Sequence, residues 1–383
     1  MTQRQLAQAA DLSVGAIRKA EQNYNVTLQT LIRIASGLGT DVSVVLGLQA
    51  PRRAMERDER AAVREMSAAV HDAALGIDDS TEPVALAELQ AAVRRANAAF
   101  WTGEYVELGA VLGSLLRPAR AAYDQADSIE KEKAAGVLAD AYLTAGMAAN
   151  LLGARDLGYS AITYGRQVAA EVGDDLRSAH LTAAHAWVCL RDGHTSKAVR
   201  IASQAAEKIE PRMSEHDPDR LSVYGQLVTN VAVAASRGGA SPDTAREYMS
   251  QAHAVAARLG CEHARGSHGQ PYGPVYATTQ ALSVAIALGE TGKAVRLIDS
   301  APLNSTALPL STFARWKLDV SLLRTNTRHW DAAATELAEV CKMAPRWVRH
   351  QALPGVIVSR LASESLEIAR RLAADVGAPL ALR

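Results

Sequence analysis

Residues 2–46 read TQRQLAQAADLSVGAIRKAEQNYNVTLQTLIRIASGLGTDVSVVL, and this stretch decides how the amino-terminal part of the chain folds. Leu6, Ala7 and Ala10 fall at i, i+1 and i+4, the buried face of a short helix. Asp11 occupies the turn that follows, where the backbone often goes left-handed; Asp tolerates this better than most non-glycine residues. Leu12 plugs the turn into the core, and the Ser13 hydroxyl caps the next helix. In that second helix Ile17, Ala20 and Glu21 point inward or sideways. Val14, Gly15, Ala16, Arg18 and Lys19 are left to face outward. A third helix, begun by Thr27 and ended near Gly39, carries Leu28, Leu31, Ala35 and Leu38 on one face.

Two short helices across a tight turn, with a supporting third, form a helix-turn-helix unit whose second helix fits the major groove of DNA. The typical run T-Q-x-x-L-A-x-x-A-G-V-S-x-x-x-I-x-x-x-E is met by Thr2, Gln3, Leu6, Ala7, Ala10, Leu12, Ser13, Ile17 and Glu21. On those residues, 2–46 resemble the Cro/repressor-type (XRE) helix-turn-helix family. The resemblance implies that Gln3 touches a phosphate or base and that the start of the second helix, Ser13, Val14 and Gly15, meets DNA and reads bases. Arg18 and Lys19 are the best candidates for base or phosphate contact, and Gln3 and Arg4 for positioning on the backbone. The chain departs from the pattern twice. Asp11 stands where glycine is usual, and the family's earlier basic helix has no counterpart ahead of Thr2. Either the true start lies upstream or the DNA-reading unit lacks its first helix.

The chain has 383 residues, enough for two or three domains and a large core. Aromatics make up only 4% and alanine dominates, which favours closely packed helices over strands. No sustained alternating run bounded by hairpin turns is present, so the expected fold is all-α. Forty-one basic residues balance forty-one acidic ones, so any affinity for nucleic acid must come from a local surface. Within residues 1–47, Arg4, Arg18, Lys19 and Arg33 exceed Asp11, Glu21 and Asp41 by one, a thin surplus for phosphate neutralisation. Cys189, Cys261 and Cys341 are scattered without a CxxC pair, which suggests reduced thiols in the cytoplasm. No apolar stretch approaches the roughly 20 residues that span a bilayer, so no membrane partner is expected.

Residues 48–82 read as a linker containing one amphipathic helix on Val63, Met66 and Val70, with breaks at 48–55 and 77–82. From 83 to 383, helical hairpins repeat. Their expected pairs are 83–101 with 104–123, 142–152 with 156–171, 176–190 with 195–209, 220–236 with 242–259, 272–288 with 291–300, and 312–323 with 330–343. Gly103, Gly153, Gly193 and Gly238-Gly239 mark turns, and Gly153 and Gly193 stand forty residues apart. Helical hairpins at periods of about 34 to 50 residues indicate an α-solenoid. The small residues of the second helices (Ala161, Ala198, Ala202, Ala205, Ala245, Ala252, Ala294, Ala332) resemble degenerate tetratricopeptide repeats. YGPVYA (272–277) and APRWVR (344–349) are similar to segments of bacterial XRE regulators with a carboxy-terminal tetratricopeptide domain. The domain division is therefore 1–47 for DNA binding, 48–82 for the linker and 83–383 for the repeats.

Solenoid first helices line a concave face that binds extended peptides or helices. Asn97, Asn150, Asn230 and Gln280 could bond a peptide backbone through donor and acceptor alike, and Tyr224, Tyr272 and Tyr276 could add a flat wall with a polar tip. For each, satisfying a neighbouring helix is the competing explanation. The GETGKAV segment (289–295) fails as a phosphate loop because the first glycine is missing and Ala294 replaces the Ser/Thr. His253, Cys261, Glu262, His263 and His268 match no zinc spacing. No metal, cofactor or catalytic constellation is expected, and the chain does not read as an enzyme. The sequence points to a cytoplasmic transcription regulator, with double-stranded operator DNA, a peptide or small-molecule effector and a second copy of itself as partners. The alternative is a helical-repeat interaction scaffold whose DNA-reading unit is vestigial.

Overall fold

The computed structural model describes residues 1–22, 26, 28–38, 45, 55–77, 84–264, 271–301, 308–362 and 364–377. All regular structure among them is helical, apart from one isolated bridge between His263 and Tyr272. The amino-terminal unit holds α1 (Gln3–Ala9), α2 (Val14–Glu21) and α3 (Leu28–Gly37). Thr2 caps α1 in a capping box with Gln5: the Thr2 amide donates to Gln5 Oε1 (2.8 Å), and the Gln5 amide donates to Thr2 Oγ1 (3.3 Å). Asp11 takes the left-handed turn at φ 50°, and Ser13 Oγ accepts the Ala16 amide at 3.1 Å. The core of the unit is small, built on Leu6, Ala7, Ile17 and Ile34.

Two details of this unit differ from the sequence reading. Ile34 and Ala35 fill the buried face of α3, whereas Leu38 is 46% exposed because the helix has ended at Gly37. Val14 is half-buried against the core instead of facing outward, since the first residue of α2 lies one turn above Ile17. The expected helix boundaries at Thr27 and Gly39 lie outside the described residues.

The helix expected on Val63, Met66 and Val70 packs against helices that follow it. Helix α4 (Arg57–Leu75) packs closely on α6 (Tyr105–Gln125), so Met66, Ala69, Val70 and Ala73 belong to the main core. Gly109 of α6 makes this approach possible, because a Cβ there would collide with the backbone of Ala62. Hairpins then follow: α5 (Leu86–Thr102) with α6, α7 (Lys131–Leu151) with α8 (Arg155–Glu171), and α9 (Asp175–Arg191) with α10 (Thr195–Lys208). Next come α11 (Pro218–Ala234) with α12 (Pro242–Leu259), α13 (Pro274–Leu288) with α14 (Thr291–Ser300), and α15 (Leu310–Asn326) with α16 (Trp330–Met343). The turn glycines Gly103, Gly153, Gly193, Gly238 and Gly289 all have positive φ, and Arg328 takes the same conformation (φ 61°) in the last hairpin. Second-helix alanines such as Ala161, Ala202, Ala245 and Ala294 are completely buried, so small side chains set the close helix spacing. Between α11 and α12, residues Ala235–Gly239 form a kinked π-turn in which Arg237 (φ −100°, ψ 17°) and Gly238 (φ 96°, ψ 8°) leave helical geometry.

The two ends of the solenoid meet. After α16, α17 (Pro345–Arg349), α18 (Leu353–Leu361) and α19 (Leu366–Val376) complete the chain. Arg346 pairs with Glu104, Arg349 with Glu56 (3.1 Å), and His350 Nε2 lies 3.3 Å from Glu59 Oε1. The His350 ring also meets Tyr105 edge-on at 5.3 Å, and Trp347 lies against Gly103. Burial pushes the Glu59 carboxyl up, but the His350 hydrogen bond and the Glu56 amide outweigh it and hold Glu59 below the usual carboxylate range. This clasp joins the last repeat to the first.

Candidate functional site

The exposed face of α2 is one candidate. Gly15, Arg18 and Lys19 are exposed along it, and Arg4 is exposed on α1. Ser13 is exposed as well, with its hydroxyl engaged in capping. Gln3 reaches across from α1 to α2: its Nε2 donates to Glu21 Oε2 (2.6 Å), while its Oε1 accepts Arg18 Nε (3.2 Å). Only one orientation of the amide satisfies both partners, so Gln3 fixes where Arg18 points. From the other side, Arg33 of α3 donates to the Asp11 carbonyl (3.1 Å) and braces the turn. Of the seven residues expected to meet DNA, Gly15, Arg18 and Lys19 are exposed on α2, Ser13 caps its start and Gln3 bonds to it from α1, while Arg4 is exposed on α1. Val14 is partly withdrawn into the core.

That arrangement is a capped, braced helix held outward on α1 and α3. Residues 1–45 match the helix-turn-helix family. The described helix-turn-helix unit is α1, the Asp11 turn and α2, supported by α3. No curated protein and no solved structure matches the chain.

The second candidate is a cavity of ≈ 190 Å³ on the inner face of the solenoid, partly open to solvent. Its walls are stripes from the first helix of each hairpin, spaced by whole helical turns. These are Asn97, Phe100 and Trp101 on α5; Leu143, Thr144, Met147, Asn150 and Leu151 on α7; and His180, Ala183, Ala184, Trp187 and Arg191 on α9. Gln226 and Asn230 on α11, Tyr276, Gln280 and Ser283 on α13, and Ser311, Thr312 and Arg315 on α15 continue the wall. Arg237 of the π-turn and Trp347 and Gln351 of the clasp complete it. Asn97, Asn150, Asn230, Tyr276 and Gln280 therefore come together, as a groove would require. Asn230 also donates to the Ala183 carbonyl (2.9 Å), so at least part of its amide serves a neighbouring helix.

Tyr224 and Tyr272 do not line the cavity. Tyr272 is wholly buried, its ring fills the space left by Gly225, and its hydroxyl donates to the Ala252 carbonyl at 2.7 Å. Tyr224 is a member of the same core cluster. The polar residues before α13 serve structure too. Glu262 Oε1 accepts the amides of Val275 (2.7 Å) and Tyr276 (3.4 Å), so it caps α13, while burial drives its carboxyl pKa up. His263 Nε2 lies 2.7 Å from Asp219 Oδ1, and His268 lies outside the described residues.

Two elements touch both candidates. The π-turn sends Arg237 into the cavity, while the next residue, Gly238 (φ 96°), faces Ser36 of α3; a Cβ at Gly238 would stand 2.9 Å from Ser36 Oγ. Helix α13 turns Tyr276, Gln280 and Ser283 toward the cavity, and the Ala287 carbonyl near its other end accepts Gln29 Nε2 of α3 at 3.1 Å. A sequence search for polar groove residues misses Phe100, Trp101, Trp187, Trp347 and the arginines. Asn97 with Phe100 and Trp101, and His180 with Trp187 and Arg191, share faces at i+3, i+4, i+7 and i+11. Extending each amide along its own helix face is the signal that finds them.

Proposed function

We propose that this chain is a transcription regulator in which the helix-turn-helix unit reads operator DNA and the cavity takes an effector. The match of residues 1–45 to the helix-turn-helix family, together with an exposed α2 bearing Gly15, Arg18 and Lys19, supports the DNA-binding half. The observation that carries the regulatory half is the double contact of the π-turn and α13, with the cavity on one side and α3 on the other. An effector that favours one packing of these two elements shifts the placement of α3, and with it the reading helix. Binding as a homodimer fits half-sites about 34 Å apart, one helical turn of DNA. The repeats are of tetratricopeptide type in this reading, and no catalytic step is assigned to the chain.

The test is a titration of the full chain onto the DNA upstream of its own gene. An Arg18→Gln/Lys19→Gln variant should bind at least about tenfold more weakly, with a salt slope reduced by about two phosphate contacts. Unchanged affinity and an unchanged slope would remove these residues from the interface.

A further inference from the structure

The cavity carries a statement about its own ligand. We propose that it takes a small anion with a flat apolar body, an aromatic carboxylate in chemical class. This rests on the reading of the cavity as an effector site, and three independent features of the cavity narrow the occupant.

Size comes first. A cavity of ≈ 190 Å³ lies below the roughly 300–1,000 Å³ of drug-sized sites, whereas about 150 Å³ suffices for a benzene ring. One or two fused rings with a short polar group fill it. The clasp between α17 and the first hairpin brings the solenoid's ends together, which favours a compact occupant over an extended segment threaded along a groove.

The walls set the body of the ligand. Of the chain's two Phe and five Trp, Phe100, Trp101, Trp187 and Trp347 share this one cavity, joined by Tyr276 of its ten Tyr. Flat, rigid side chains stack on flat ligands at low entropic cost.

Charge sets the polar group. The chain as a whole is neutral, but the described lining of the cavity brings together Arg191, Arg237 and Arg315, each of which also has a partner within the protein, and among the described residues it includes no aspartate or glutamate. Asp319, which binds Arg315 (3.2 Å), lies outside the lining and anchors that side chain from its own helix. Guanidinium groups recognise carboxylates through paired N–H donors, and the partly desolvated setting strengthens them. Arg237 is the contact of most consequence, because it belongs to the π-turn whose Gly238 abuts α3. A carboxylate held there acts on the same turn that seats the DNA-reading unit.

The experiment is isothermal titration calorimetry of the full chain with 2-naphthoate and with 2-naphthamide, which share one ring system and differ in charge. Naphthoate should bind at least about tenfold more tightly than the amide. Arg237→Gln should abolish that preference while leaving amide binding intact, and Arg191→Gln, on a different element, should reduce it. Trp187→Ala should weaken both probes. Equal affinity for acid and amide, or a preference that survives both arginine changes, would overturn the anion assignment and give the cavity to a neutral occupant such as an apolar peptide segment. If neither probe binds, or if both bind and Trp187→Ala leaves both untouched, the effector-site reading itself fails.

Discussion

The helix-turn-helix unit and the repeat body follow opposite designs. The first concentrates its information in about twenty consecutive residues: a capping box at Thr2 and Gln5, a left-handed Asp11, a Ser13 cap and a single fully buried Ile17. The second spreads its information over the chain, so that one cavity draws side chains from Asn97 through Gln351. A motif built from local geometry can be recognised position by position. A cavity built from one or two turns of many helices exists only once the solenoid has closed. The two regions should therefore respond differently to change, and four substitutions probe that contrast.

The largest effect is expected for Ile17→Asp. A charge at a fully buried site with no partner costs about 3–5 kcal/mol, more than so small a core can absorb. Operator binding should vanish while the main thermal transition of the repeat body stays in place, as read by calorimetry. A collapse of both together would mean that the two regions fold as one unit.

Gly238→Val comes next. A left-handed β-branched residue costs about 1–2 kcal/mol, and its Cβ would press on Ser36. Hydrogen exchange in α3 should rise while α7 and α8 keep their protection. Unchanged exchange in α3 would separate the π-turn from the DNA-reading unit.

The clasp gives a smaller and pH-dependent effect. Glu59→Gln should cost about 1–3 kcal/mol, a fall of roughly 2–8 °C in melting temperature. The Glu59 carboxyl is held below its ordinary value of 4.5, so its ionised form stabilises the fold above that pH. The contribution disappears as pH falls through the depressed value. The gap in melting temperature between wild type and variant should thus be full at neutral pH and close under acid conditions. A gap that widens with acidification would reverse the assignment.

Gln3→Ala should have the least effect on stability, about 0.5 kcal/mol or less, because its partners Arg18 and Glu21 are exposed. It should still weaken operator binding several-fold, since Arg18 loses its guide. Unaltered binding would show that Arg18 needs no positioning from α1.

Much of the architecture could be read from the sequence, and the reasons are local. Turn glycines such as Gly153 and Gly193 are required by positive φ, and buried alanines such as Ala161 and Ala245 by close helix spacing; both leave periodic marks. The role of α4 is hidden, because its Pro- and Arg-containing flank resembles a linker and its partner α6 follows only after another helix, α5. Tyr272 looked like a groove residue from its neighbours Tyr276 and Gln280, but it precedes α13 and turns into the gap at Gly225. The clasp was beyond reach for a different reason. Glu59 and His350 are 291 positions apart, and no local pattern announces a contact at that separation. Of the cavity, the amides could be anticipated by type; the aromatic wall and the arginines became visible only when helices from distant hairpins faced one another.

The central claim is that α2 and its support form a sequence-reading surface. The most direct measurement is fluorescence anisotropy of the full chain with a duplex from its own promoter and with a scrambled duplex of equal composition, at 50 and 200 mM salt. The account predicts tighter binding to the promoter duplex at both concentrations, with the preference retained as the overall affinity falls with salt. Equal, weak binding to both duplexes would contradict it.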